Sequence, residues 1–169
     1  MRLLGIDPGV ATTGYGLLEQ IGDKMVLLDY GVFTTWPRDP LSKRLLELKN
    51  QFHLCLETWK PDHLALERLF FNQNVNTALS VGMASGVLIV TAEEYAIPTF
   101  EYTPLQVKQG LTGYGRADKR QIQSMVKSLL NLSSLPKPDD AADAVAIALC
   151  HAHSFPMQEK IQMAEWAYS

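Results

Sequence analysis

The chain opens with a short apolar run that ends in an acid and a turn, MRLLGIDPG at residues 1–9. The run predicts a β-strand, and Pro8 and Gly9 are turn residues, so Asp7 is expected at the carboxyl end of that strand. Residues 13–19 and 25–34 have strand-like patterns, separated by the hairpin-turn pair Gly22 and Asp23. Three consecutive strands are therefore expected to open the fold.

Helices and strands alternate in the rest of the chain. Apolar residues recur every three or four positions from Leu41 to Trp59, which predicts an amphipathic helix that Pro61 ends. Further strands are predicted at 63–67 and 98–102, and further helices at about 75–96, 104–111 and 117–132, with a last helix after Pro138 through His153. This order predicts an α/β fold: a mixed five-stranded sheet with helices on both faces.

Composition and length limit the possible classes of protein. The 169 residues suit a single domain, which we expect at 1–153, followed by a tail at 154–169 whose pattern is too weak to assign. A hydrophobic fraction of 47% excludes disorder as the main state, and a net charge of −3 disfavours a general polyanion binder or a membrane-surface protein. The longest uncharged stretch, 69–92, is too polar to span a membrane.

The opening residues also bear on location. Asp7 falls inside what would be the apolar region of a signal peptide, so export is not indicated. Cys55 and Cys150 lack the spacing of a zinc or redox motif. A cytoplasmic protein is therefore expected, with no membrane partner.

Four acids adjoin apolar segments: Asp7 and Glu67 at predicted strand ends, and Asp140 and Asp143 at a predicted helix start. Alone, an acid at a helix start has an ordinary explanation as a cap. Together, the four carboxylates are what a hard divalent cation needs, and two Mg²⁺ ions about 4 Å apart would suit phosphodiester hydrolysis. Asp139 points about 100° away from Asp140 around the helix, so we expect it to be a cap or solvated.

Six motifs in this order resemble the RuvC family of Holliday-junction resolvases: GIDPG, TGYG, ALERLF, FEYTPLQVKQ, GYGRADKRQIQ and DAADAVAIA. The resemblance covers about residues 1–153 and implies an RNase H-like fold. It implies that Asp7, Glu67, Asp140 and Asp143 are catalytic and bind Mg²⁺, with Mn²⁺ as a substitute.

The resemblance also implies an activity and partners. The expected enzyme is a hydrolase of DNA recombination and repair that cuts a four-way junction by paired nicks and leaves 5′-phosphate ends. A homodimer is implied, since each active site cuts one strand, and so is a RuvAB-type branch-migration complex. Residues Gly82 and Gly86 form a smooth helix ridge that suits either this dimer interface or internal packing.

DNA contacts are predicted on a local basic segment. Residues 104–128 contain five basic residues and one acid, a net charge of +4, whereas the remainder of the chain has a net charge of −7. Such a patch beside an acidic site can attract the phosphate backbone. The candidate basic contacts are Lys108, Arg116, Lys119 and Arg120, and the resemblance favours Lys108 and Lys119. Lys127 is equally compatible with a solvated helix face.

An aromatic contact is also predicted. The resemblance places at Phe70 an aromatic side chain that could stack on an unpaired base, whereas we expect Phe71 to pack beneath its loop. His151 and His153 are interpreted as structural residues, because the side chains of a His-x-His pair on a helix point to different faces. His63 lies four residues before Glu67 in the same predicted strand, so we expect it to face the same side without reaching the metal site.

Two other functions fit parts of the pattern. A non-catalytic module that binds DNA junctions would share the fold, although four intact acids argue against it. An actin-like phosphotransferase lobe also opens with GIDPG, but the chain is short for a two-lobed kinase and contains no Walker-type loop.

Overall fold

The computed structural model of the chain describes residues 1–68 and 75–167. In that part, the strands and helices are β1 (Arg2–Asp7), β2 (Thr12–Ile21), β3 (Lys24–Thr34), α1 (Leu41–Trp59), β4 (His63–Glu67), α2 (Val75–Glu94), β5 (Thr99–Tyr102), α3 (Pro104–Thr112), α4 (Lys119–Leu129) and α5 (Asp139–Ala167). The predicted order of elements is confirmed.

The strands form one sheet in the order β3-β2-β1-β4-β5. The first three strands of the chain pair antiparallel, and β4 is parallel to both β1 and β5. The prediction of a mixed five-stranded sheet is therefore confirmed. Because β1, β4 and β5 run in the same direction, their carboxyl ends meet at one edge of the sheet.

Both faces of the sheet are covered by helices. Neighbouring residues of β1 alternate between the two sides, with Leu3 in one core and Leu4 in the other. Leu3 packs in the core that contains the buried residues of α3, α4 and α5, whereas Leu4 packs in the core of α1 and α2. A central strand buried on both faces needs a continuous apolar run, which explains the composition of residues 3–6.

The helix bounds differ most from the sequence prediction in α4 and α5, and α4 ends at Leu129 rather than residue 132. Helix α4 begins at Lys119 rather than residue 117, because Asp118 is its N-cap and accepts a hydrogen bond from the Gln121 backbone N–H. Helix α5 continues beyond His153 to Ala167 and so includes most of the unassigned tail. Pro156 removes one backbone donor inside this helix and weakens the sequence signal there.

None of the helices in the described residues combines the length and apolarity that a membrane span requires.

Candidate active site at the carboxyl edge of the sheet

Asp7 and Glu67 end two adjacent parallel strands. The register pairs Ile6 of β1 with Leu66 of β4, so the acid that follows each residue lies at the same level of the sheet edge. Their carboxyl groups lie within hydrogen-bond reach of each other. Two ionised carboxylates cannot hydrogen-bond to each other, so a bond between them forms only when one carries a proton.

Burial and negative neighbours favour the protonated form of both acids. Burial and, to a smaller extent, the nearby charges of Glu67, Asp143 and Asp140 together raise the pKa of Asp7 to about 8. Burial also raises the pKa of Glu67, although its hydrogen bond with Asp7 partly opposes the change. The strand ends therefore form a half-buried acidic centre whose charge repulsion a cation would relieve.

Helix α5 brings Asp140 and Asp143 to this centre, because glycines let the helix approach the sheet closely. Gly14 pairs with Asp7 across β1 and β2. A Cβ atom on Gly14 would lie only 2.0 Å from the Asp140 carbonyl oxygen. Likewise, a Cβ on Gly5 would lie 2.1 Å from the Ala144 carbonyl oxygen. The first turn of α5 thus lies against the end of β1.

Lys119 supplies positive charge to the same centre. Its Nζ lies 3.0 Å from Asp139 Oδ2 and 3.3 Å from Asp143 Oδ2. Its hydrogen bond to Asp139 is the main cause of the raised pKa of Lys119. Burial raises the pKa of Asp143, while Lys119 pulls it down. The expectation that Asp139 is a cap or a solvated residue is incomplete, because this exposed carboxylate is ion-paired.

A cavity of about 230 Å³ opens between these groups. Glu67, Asp143, Lys108 and Lys119 line it, and the apolar residues include Val107. Two of the predicted basic contacts therefore adjoin the acids. Arg120 lines a different cavity beside α4, with Tyr114, and Arg116 is exposed in the loop between α3 and α4. Phe70 and Phe71 lie outside the described residues.

The donor chemistry of the four acids suits a divalent cation, but their arrangement is not that of a closed site. Within residues 1–68 and 75–167, no three Asp, Glu, His or Cys side chains are grouped so as to hold a metal ion. Two contacts keep carboxylates otherwise engaged: the Asp7–Glu67 hydrogen bond and the Lys119–Asp143 ion pair. Ion binding at all four acids would require both contacts to rearrange.

Two contacts near the site could not be found from the sequence pattern. Lys119 and Asp143 are 24 positions apart and belong to different helices. The contact of Gly14 with α5 joins residues even further apart. One signal in the sequence pointed to the contact of Gly14, namely a glycine within a predicted strand. Such a glycine is often found where another backbone approaches the strand closely.

The chain is similar to known proteins along most of its length. The family model of crossover junction endodeoxyribonuclease RuvC matches residues 3–151. The RuvC of Desulfitobacterium hafniense strain DCB-2 is 53% identical over 154 residues, covering 91% of this chain and 93% of that protein. The RuvC of Pelotomaculum thermopropionicum is 45% identical over 163 residues, covering 96% of this chain and 99% of that protein.

Solved structures of known proteins also resemble this chain. RuvC of Thermus thermophilus in complex with a Holliday junction substrate has a TM-score of 0.89 and 37% identity, covering 94% of this chain and 96% of that chain. The expected RNase H-like fold is confirmed by this likeness and by that of the same protein without the junction, with a TM-score of 0.86. The chain therefore belongs to the RuvC family of crossover junction endodeoxyribonucleases.

Proposed function

We propose that this chain is a metal-dependent endonuclease that resolves four-way DNA junctions by paired, symmetric nicking. The observation that carries the proposal is the cavity in which Glu67 and Asp143 face Lys108 and Lys119, beside the half-buried Asp7. The cavity thus places carboxylates, which bind cations, next to lysines, which bind phosphate. The relative from T. thermophilus, solved with a Holliday junction substrate, supports the choice of substrate.

Asp7, Glu67, Asp140 and Asp143 are the residues that would hold Mg²⁺, or Mn²⁺ in its place, with two ions per site. The chemistry that such ions would supply is activation of a water and stabilisation of the leaving 3′ oxygen, which would give a 5′-phosphate end. Lys108 and Lys119 hold the phosphate by charge-assisted hydrogen bonds. Val107 is among the apolar residues that line the same cavity.

Two contacts of these acids would have to change for the site to hold a cation. Asp7 and Glu67 would be needed in their ionised forms, so a proton held between them would leave to solvent. Lys119 would separate from Asp143 and could then contact the DNA phosphate. Lys119 thus acts as a stand-in positive charge that reduces the repulsion between the acids before an ion arrives.

Further DNA contacts are assigned to Arg116 and Arg120, which continue the basic segment away from the cavity. Phe70 is retained as the proposed aromatic contact at the junction centre. A junction substrate also explains the cytoplasmic location expected from the sequence, since chromosomal DNA lies there in cells without a nucleus. A branch-migration complex of RuvAB type remains the expected supplier of junctions.

We further propose a homodimer formed through α2. Four residues share one face of this helix and are all exposed: Leu79, Met83, Gly86 and Val90. Their spacing of three or four residues makes an apolar stripe, and a Cβ on Gly86 would meet nothing within 4 Å. The ridge at Gly86 is therefore not filled by internal packing. A second copy covering this stripe would give the two active sites that paired nicking needs.

The test is cleavage of a synthetic mobile four-way junction, beside a linear duplex and a fork, with Mg²⁺ present or chelated. We expect symmetric nicks in the junction alone, and only with Mg²⁺. Asp7→Asn should bind the junction but fail to cut it, whereas Asp23→Asn, in the exposed turn between β2 and β3, should cut normally. Equal cutting of all three substrates would refute the substrate assignment, and cutting by Asp7→Asn would refute the site.

A further inference from the structure

We propose that Trp36 and Arg38 form a second DNA-contact surface, on the side of the acidic centre opposite Lys108. Both residues lie in the loop at residues 35–40, called here the Trp36 loop, which connects β3 to α1. The proposal rests on the proposed function, and it names a part of the substrate-binding surface that the basic segment at 104–128 does not include.

The topology places the Trp36 loop at the edge of the sheet that holds the active site. Strands β3 and β1 are each antiparallel to β2, so they run in the same direction and both end at this edge. The strand register places Val32 of β3 at the same height in the sheet as Asp7 of β1, because Gly14 of β2 pairs with both residues. Two strand spacings, about 10 Å, separate β3 from β1.

Hydrogen bonds fix the Trp36 loop to the segment that follows Asp7. The buried Thr35 backbone N–H donates to the Ala11 carbonyl at 3.2 Å, and the Thr35 hydroxyl donates to the Val10 carbonyl at 2.6 Å. Arg44 of α1 in turn donates from Nε to the Thr35 hydroxyl at 2.9 Å. The loop is therefore anchored next to the turn that follows Asp7. The loss of conformational entropy when a ligand binds to it should be small.

The side chains beyond Thr35 are directed to solvent. Trp36 is 61% exposed, which leaves most of a large apolar ring without a partner in the fold. Trp and Arg are among the residue types that carry most of the energy in binding surfaces. Arg38 is exposed and belongs to none of the ion pairs found among the described residues.

The charge of this region favours DNA over a protein partner. Residues 35–45 contain three basic residues and one acid, a net charge of +2. The chain outside this segment and the basic segment at 104–128 has a net charge of −9. Lys43 already pairs with Asp39 at 3.0 Å, which leaves Arg38 as an available cation. Lys108, on the helix after β5, and the Trp36 loop, after β3, then provide positive charge at the two ends of the edge, with the acids between them.

The spacing also suits a strand of DNA. A strand advances about 3.4 Å per nucleotide along a duplex, so 10 Å corresponds to about three nucleotides. A strand whose cleaved phosphate lies at Asp7 would thus reach the Trp36 loop about three nucleotides away. There Trp36 can pack on a base or sugar while Arg38 contacts a phosphate.

The experiment measures junction affinity with metal chelated, across a series of salt concentrations, for Trp36→Ala, Trp36→Phe and Arg38→Gln. Ile21→Ala and Lys24→Gln are matched controls, because both residues are exposed near the hairpin turn at the opposite end of β3. We expect Trp36→Ala to weaken binding about tenfold and Trp36→Phe to restore most of it. Arg38→Gln should lower the slope of log affinity against log salt by about one, and both controls should bind as the wild type does.

Two results separate this proposal from the proposed function. If the wild type binds and cuts the junction and both Trp36→Ala and Arg38→Gln bind it equally well, the second surface is refuted and the nuclease assignment stands. The Trp36 loop would then bind another kind of partner, such as a protein. If the wild type neither binds nor cuts the junction, the proposed function itself is refuted, and the second surface with it.

Discussion

Lys119 Nζ lies 3.3 Å from Asp143 Oδ2 and 3.0 Å from Asp139 Oδ2. The two acids are four residues, about one helical turn, apart on α5. One lysine from α4 therefore joins two acids of α5 that differ in their surroundings. Asp143 lines the cavity with Glu67, whereas Asp139 is 71% exposed and points to solvent. The structure thus separates a cavity acid from a surface acid within a single ion-paired group.

The first prediction concerns these two acids. Asp143→Asn should reduce the rate of junction cleavage by at least about 100-fold, because one carboxylate of the proposed cation site is lost. Asp139→Asn should change the rate by no more than about threefold, since an exposed ion pair contributes little. Single-turnover cleavage at saturating enzyme measures both rates without a contribution from product release.

Junction affinity is the control for this comparison. Both variants should bind the junction at least as tightly as the wild type, because each removes a negative charge near the DNA. A large loss of cleavage in Asp139→Asn, with normal cleavage in Asp143→Asn, would reverse the roles assigned to the two acids.

Sequence reasoning located the acids because each has a local signal. Asp7 and Glu67 each end an apolar run, and the spacing of Asp140 and Asp143 puts both on one face of a helix start. Contacts between distant residues had no such signal. The His63–His151 hydrogen bond joins residues 88 positions apart, and the anchoring of Thr35 by Val10 depends on the sheet register. Those relationships arise from tertiary packing.

The second prediction tests the proposed dimer. Met83→Glu places a charge in the exposed apolar stripe of α2 and should convert a dimer to a monomer, because burying an unpaired charge is costly. Leu54→Glu is the control, since Leu54 is also exposed but lies on α1. Sedimentation or light scattering gives the mass of each variant. A dimeric Met83→Glu protein would place the interface elsewhere.

The third prediction concerns a buried histidine. His151 is fully buried, with Nδ1 2.7 Å from the Tyr102 hydroxyl and Nε2 2.9 Å from His63 Nδ1. Burial, with a smaller effect of His63, lowers the pKa of His151 from 6.5 to about 4. The unfolded chain therefore binds more protons at this residue between these pH values, and the unfolding free energy should decrease as the pH falls from about 6.5 to about 4.

The effect must be separated from that of other titrating groups. The acids of the active site have raised pKa values and change the stability in the opposite direction over part of this range. The measured quantity is therefore the difference in unfolding free energy between the wild type and His151→Gln, followed by urea denaturation in metal-free buffer. We expect the advantage of the wild type to shrink by up to about 3 kcal/mol on acidification. A difference independent of pH would contradict the prediction.

The fourth prediction concerns the close contact between β2 and α5. Gly14→Ala would bring a methyl group within 2.0 Å of the Asp140 carbonyl oxygen, and backbone atoms cannot move aside as a side chain does. We expect a loss of about 3 kcal/mol or more in unfolding free energy. Because α5 must move away from the end of β1, the molecules that do fold should also lose junction cleavage.

Gly110→Ala is the graded control for this substitution. Its new methyl group would lie 3.0 Å from the Cys150 sulfur atom and at ordinary contact distance, 3.7 Å, from the Cα and Cβ atoms of the same residue. Alanine is also favoured over glycine inside helix α3. The two effects oppose each other, so the unfolding free energy should change by no more than about 1 kcal/mol. If Gly14→Ala were as stable and as active as Gly110→Ala, the acids of α5 would not depend on this contact for their position. The close approach of helix and sheet would then be a feature of packing without a consequence for the site.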